Sequence, residues 1–257
     1  LIVLAIMSFR TLVQAVQIRR ASLLICISEV FRDHLVEDYR FPRERTVVIA
    51  NPVRVERFDA DVERPLADPP IVLVPTRLSL RKGLEDVVEV ARLLLDRGSR
   101  AVVRVVGGPS MWSDYSSLLD DLPAQNSVYG GRVAPRDMPR EFRGCDVTLV
   151  TSKYEPFGLT VGEALASGVP VVATSEVGAV EAVDRSVAAV VAPGDIAALT
   201  TAVVEMLDRL RAQPVELRSL ARAEAERLFA RDVVCAQISD ALTALVRRTE
   251  SPRGVAA

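Results

Sequence analysis

Two carboxylates and two cations mark the residues most able to do chemistry. Glu155 and Glu163 stand with seven residues between them, in the stretch Thr151-Ser-Lys-Tyr-Glu-Pro-Phe-Gly-Leu-Thr-Val-Gly-Glu163. An apolar run precedes that stretch, and Gly168-Val-Pro-Val-Val-Ala173 follows it. The pattern predicts a strand, a glycine-bearing loop, a helix N-terminus and a second buried strand. Such a junction binds anions, because unpaired backbone N–H groups and the helix dipole face one point. Arg77 and Lys82 flank a second loop directly after an apolar strand. Cations on anionic oxygens and carboxylates on sugar hydroxyls suit a nucleotide-sugar. A solvated basic loop and an exposed helical glutamate would use the same residue types, so spacing carries the argument.

Around these residues strands and helices alternate. Apolar strands are expected at 71–75, 101–106, 127–129, 146–151, 168–173 and 188–192. Helices are expected at 83–95, 115–122, 135–143, 196–210, 215–229 and 233–247. In the first of these, Leu84, Val87, Val88, Ala91 and Leu94 share one face. Strands apolar throughout, alternating with helices, mean a parallel sheet covered on both faces. Ligands of such sheets bind beyond the C-terminal strand ends. Upstream, the pattern predicts a helix over 1–20, strands at 22–28 and 46–49, and a helix at 30–39 carrying His34. Residues 59–70, rich in Asp, Pro and Arg, read as a linker.

Composition narrows the function classes. The chain has 257 residues, 49% hydrophobic and 26% charged, which gives ample core and argues against disorder. Its net charge of −2 argues against a general nucleic-acid or anionic-membrane surface. Cys26, Cys145 and Cys235 are odd in number and widely spaced, and read as small buried thiols in a reducing compartment. With one histidine, no zinc site can be assembled. The opening apolar run is broken by Arg10 and Gln14, short of the ~20 residues that span a bilayer. It has no basic leader or cleavage site, so it does not read as a signal peptide. The sequence reads as a segment of a longer protein. Only Lys82 and Lys153 are lysines among 32 basic residues, which singles out Lys82 in a phosphate-type loop.

Tyr154-Glu-Pro-Phe-Gly-Leu159 with Glu163 resembles the E-x7-E signature of retaining glycosyltransferases of the GT-B fold, the group called family 4. Arg77-Leu-Ser-Leu-Arg-Lys-Gly83 resembles the family's R-L-x-x-x-K-G loop, and Gly131-Arg-Val133 its G-x-V segment. Val171-Val-Ala-Thr174 and Pro193-Gly-Asp195 also fall in the family's order. The resemblance runs from about Leu23 to the last helix.

The resemblance implies an α/β fold: a Rossmann-like, doubly wound parallel sheet forming the C-terminal half of GT-B. Residues 1–50 would be a remnant of an N-terminal acceptor domain, 51–230 the nucleotide-sugar domain, and 231–257 a helix and tail crossing back. It implies transfer of a hexose-type sugar from a nucleoside diphosphate, with no cofactor or metal and an acceptor that is a lipid, glycan or small molecule. Arg77 and Lys82 would hold the diphosphate and stabilise its departure. Glu163 would accept the ribose hydroxyls. Glu155 would meet the transferred sugar or steady its loop, and the alternative is an acid answering the helix dipole. Backbone N–H groups of Phe157, Gly158, Leu159 and Thr160 would meet phosphate or sugar oxygens. Arg132 and Val133 would hold the nucleobase. The implied compartment is the cytoplasm, with a peripheral contact at the inner membrane face left open.

Two segments depart from the family pattern. Its G-G-x-P-E is here Val177-Gly-Ala-Val-Glu181, and its T-G before the last strand is absent. Gly107-Gly-Pro-Ser110 departs in spacing from the family's G-x-G-P and is no dinucleotide fingerprint. Asp59-Ala-Asp61 sits in the linker, and its match to a metal-binding D-x-D is read as chance. Two alternatives stand beside the transferase: a nucleotide-sugar-binding module without catalysis, and another GT-B enzyme such as a sugar-nucleotide epimerase.

Overall fold

The computed structural model describes residues 2–109 and 114–250. Ser110 of the Gly107 segment, Leu1 and the tail beyond Glu250 lie outside the described residues. The chain opens with α1 (Ile2–Arg20), β1 (Leu24–Cys26), α2 (Glu29–Tyr39) and β2 (Thr46–Val48). Then come β3 (Ile71–Pro75), α3 (Leu84–Asp96), β4 (Val102–Val106), β5 (Ser127–Tyr129), α4 (Met138–Arg143) and β6 (Val147–Val150). The chain continues with α5 (Leu159–Ala166), β7 (Val171–Thr174), β8 (Ala188–Val191), α6 (Ile196–Ala212), α7 (Pro214–Phe229) and α8 (Arg231–Glu250).

Six strands form one sheet in the order β5-β4-β3-β6-β7-β8, every pair parallel. Val72, Leu73 and Val74 of β3 and Val171, Val172 and Ala173 of β7 are buried, which explains their unbroken apolar runs. The chain runs outward from β3 in one direction and from β6 in the other, so crossovers of the usual right hand put their helices on opposite faces. α3 packs with α6, and α5 packs with α4 and α7. This is the doubly wound α/β sheet expected. The apolar stripe of α3 is buried in full. β1 and β2 form a separate parallel pair, with their own cluster of Cys26, Leu35 and Phe41.

Several elements differ from expectation. The strand expected over 22–28 pairs only at Leu24–Cys26, because Ser28 turns to cap α2. The helix expected at 115–122 is a 3-10 segment, Ser116–Asp121. The helix expected from 135 begins at Met138, after a turn closed by Asp137 N–H donating to Ala134 O. α7 and α8 are separated by Ala230 alone, where Val53 forms a parallel bridge and its N–H donates to Phe229 O at 2.7 Å. No described helix is long and apolar enough to cross a membrane.

The linker is tied down by charge. Asp146, fully buried just before β6, accepts from Ile71 N at 3.0 Å, Arg64 at 3.0 Å and Arg218 at 2.9 Å. Asp59 and Asp61 both pair with Arg143 of α4, so this D-x-D anchors the linker. Removing Arg218 takes from a fully buried carboxylate the more deeply buried of its two arginine partners, and breaking such a pair is costly. Arg218→Ala should therefore destabilise the chain by about 3–5 kcal/mol. Urea unfolding checks this, and a loss near zero would contradict it.

Candidate functional site

The strand order reverses between β3 and β6, and a narrow cleft opens beyond their C-terminal ends. Its walls are Thr76 after β3, Thr151 and Ser152 after β6, and Lys82, Glu155 and Thr160. Two loops are sewn together here. Thr151 Oγ1 lies 3.0 Å from Lys82 O and 2.9 Å from Gly83 O, and Lys153 N–H donates to Arg81 O at 2.9 Å. Gly83 has φ of +65°, and a Cβ there would lie 2.1 Å from Thr151 O. Only glycine permits that approach.

Lys82 Nζ donates to Glu155 Oε2 across the cleft, and both side chains are mostly buried. Burial, then the charges of Arg81 and Arg77, push Lys82 down to about 8. The Glu155 carboxylate opposes that push. Arg77 is exposed and close enough to act on Lys82 through its field. Gly158, left-handed with φ of +95°, starts α5 without a side-chain cap. The N–H groups of Phe157, Gly158, Leu159 and Thr160 donate to no described residue. The Phe157 ring is buried edge-on against Phe229, 5.7 Å between centroids, which fixes its backbone.

The remaining expected residues stand apart. Glu163 is half-buried on α5 and does not line this cleft. Burial raises its carboxyl, and Arg57 opposes the rise. Arg132 and Val133 line a polar pocket of about 540 Å³ with Arg104 and Glu141, which pair at 2.7 Å. That pocket joins the loop after β4 through Gly107 N–H donating to Gly131 O at 2.8 Å. Sequence reasoning missed Thr76, Thr151, Ser152 and Arg57. The first three directly follow a strand, a signal that could have found them; nothing local marks Arg57. Pro193-Gly-Asp195 is a helix start, Asp195 accepting from Ala198 N at 2.9 Å. A cavity of about 820 Å³ between Leu66, Arg100 and Val204 lies where the strands begin, at the opposite end of the sheet.

Comparison with known proteins gives this geometry a family. The profile described as glycosyl transferases group 1 matches residues 56–222. The chain belongs to that family. It is 33% identical over 219 residues to a probable transglycosylase of Burkholderia thailandensis, covering 81% of this chain and 56% of that protein. It is 28% identical over 216 residues to a glycogen synthase of Mycobacterium tuberculosis, covering 82% and 50%. The chain thus spans about half the length of these two curated relatives. Among solved structures, sucrose-phosphate synthase from Thermosynechococcus elongatus superposes with a TM-score of 0.76 at 23% identity, covering 94% of this chain and 62% of that one. Anabaena HepE in complex with UDP and glucose superposes at 0.73 and 24%, covering 88% and 64%. These likenesses show the GT-B-type fold of the group 1 transferases.

The two lysines of this group 1 chain give a direct test of the cleft. Glu85 holds Lys153 above its ordinary value, whereas Lys82 is pushed down to about 8. Carbon NMR of the lysine ε positions should show two titrations, one near pH 8 and one above the ordinary lysine range. Assignment by Lys153→Arg checks which is which. Coincident midpoints would contradict the buried environment of Lys82.

Proposed function

We propose that this chain is the donor-binding half of a retaining glycosyltransferase that takes a hexose-type sugar from a nucleoside-diphosphate sugar. One observation carries the reading: the start of α5, whose first N–H groups donate to no described residue, lines one cleft with the Lys82–Glu155 pair through Gly158 and Thr160 at the switch point of the sheet. Four fixed donors beside a cation make a diphosphate site. The HepE structure holding UDP and glucose on a similar fold supports it.

In this reading the diphosphate takes Lys82 from Glu155 and also draws Arg77. Both cations then face the oxygens on which charge develops as the glycosidic bond breaks. Glu155, released, accepts hydroxyls of the sugar. Glu163 takes the ribose diol, and burial strengthens hydrogen bonds to it. Arg132 and Val133 hold the base. The acceptor is deprotonated by the leaving phosphate on the same face, which retains the configuration. Residues 1–50 are read as the end of an acceptor domain, 51–230 as the donor domain and 231–257 as a returning helix. The separate β1–β2 pair and its own small core support that division.

Calorimetry with UDP, GDP and ADP should show saturable binding of one. Lys82→Ala and Glu163→Ala should each weaken it about tenfold or more, ~1.4 kcal/mol. Affinity should hold below neutral pH and fall as pH rises past about 8, because free Lys82 then loses its proton. No binding by the folded chain or the longer protein would sink the reading. Binding without any sugar transfer in the longer protein would make it a non-catalytic module instead.

A further inference from the structure

Glu181 lies in the segment that departs from the family pattern, and it does not face the cleft. Its two carboxylate oxygens accept from Glu29 N and Val30 N of α2, each at 2.7 Å. Ser28 completes the junction. Its Oγ accepts from Phe31 N at 3.0 Å and donates to Pro156 O at 2.5 Å. A helix start leaves its first N–H groups without intrahelical partners, and here a residue far along the chain supplies the acceptors. The carboxylate also complements the positive end of the helix dipole. Gly178 makes room, since a Cβ there would lie 2.4 Å from Ser28 Oγ and 2.5 Å from Pro156 O.

The same segment holds the loop before α5. Glu155 N–H donates to Glu176 O at 2.9 Å, Gly178 N–H to Glu155 O at 3.0 Å, and Ala179 N–H to Phe157 O at 2.7 Å. His34 on α2 adds a ring contact to Tyr154, centroids 5.0 Å apart. Residues 154–158 are therefore gripped on one side by 176–179 and on the other by the first turns of α2. Neither can shift without breaking the bonds made by Ser28 and Glu181.

The geometry points to Ser28 and Glu181 as positioning residues that couple the donor loop, residues 155–158, to helix α2. Neither touches the cleft. Occupancy of the loop is thereby communicated to an element outside the six-stranded sheet. The inference rests on reading 155–158 as the donor loop, but the coupling can be judged without ligand.

Amide hydrogen exchange tests it on the 257-residue chain and on the longer protein, with and without UDP, GDP or ADP at saturation. Without nucleotide, Glu181→Ala should speed exchange about tenfold at 29–31 and also at Glu155, Gly178 and Ala179, leaving β7 unchanged. Ser28→Ala should act in the same direction. Glu181→Gln, which keeps an acceptor, should fall between, and it serves as the test if the alanine variant fails to fold. With the nucleotide that binds, the wild type should slow at 29–31 as well as at 155–160, and Glu181→Ala should slow only at 155–160. Exchange at Glu155, Gly178 and Ala179 indifferent to both glutamate variants would overturn the coupling. So would nucleotide protection of 155–160 that never reaches α2 in the wild type. If no nucleotide alters exchange anywhere, the donor reading fails, and the ligand-free comparison still decides the coupling.

Discussion

Everything in the six-stranded unit hangs on how β3 and β6 are set side by side, and one buried carboxylate holds them. Asp146 binds the first amide of β3 and sits immediately before β6. Its remaining capacity is taken by Arg64 from the linker and Arg218 from α7. A parallel pair has no hairpin turn to hold its register. A charge satisfied by two arginines and a backbone N–H supplies that fixation at one end. The cleft opens at the other end of the same two strands, so a slip here would separate Thr76 from Thr151.

The cleft end is organised on the opposite principle. At Asp146 every strong group has its partner. Beyond β3 and β6, the N–H groups of residues 157–160 at the start of α5 have none among the described residues, and Arg77 stands exposed. Backbone-to-side-chain bonds from Thr151 hold the loops still while leaving those donors open. Unfilled polarity on a rigid frame is what a charged ligand needs, because little is then spent on reorganising the site.

Much of this was legible in the sequence. The buried stripe of α3 follows from period alone, and so do the apolar strands and the placing of the chemistry-bearing residues after them. The scarcity of lysine marked Lys82. What was not legible is long-range. Nothing in the local pattern says that Lys82 meets Glu155, 73 positions on, or that Glu181 caps a helix 152 positions back. Periodicity reports which face of an element is buried, not which distant polar group answers it. Glu163 and Arg132 show the same boundary: each occupies a motif position, yet neither lines the cleft of the Lys82–Glu155 pair. The 3-10 segment Ser116–Asp121 was read as an α-helix because its hydrophobic spacing resembles that of a short one.

The chain passes the junction below α5 twice, once at Val53 and once at Ala230, and the two passages are bridged to each other. A single passage would work as a swivel, free to twist about its own bonds. Two passages fastened side by side work as a door hinge. Bending at the pair is left free, whereas twisting one passage against the other would break the Val53 N–H to Phe229 O hydrogen bond.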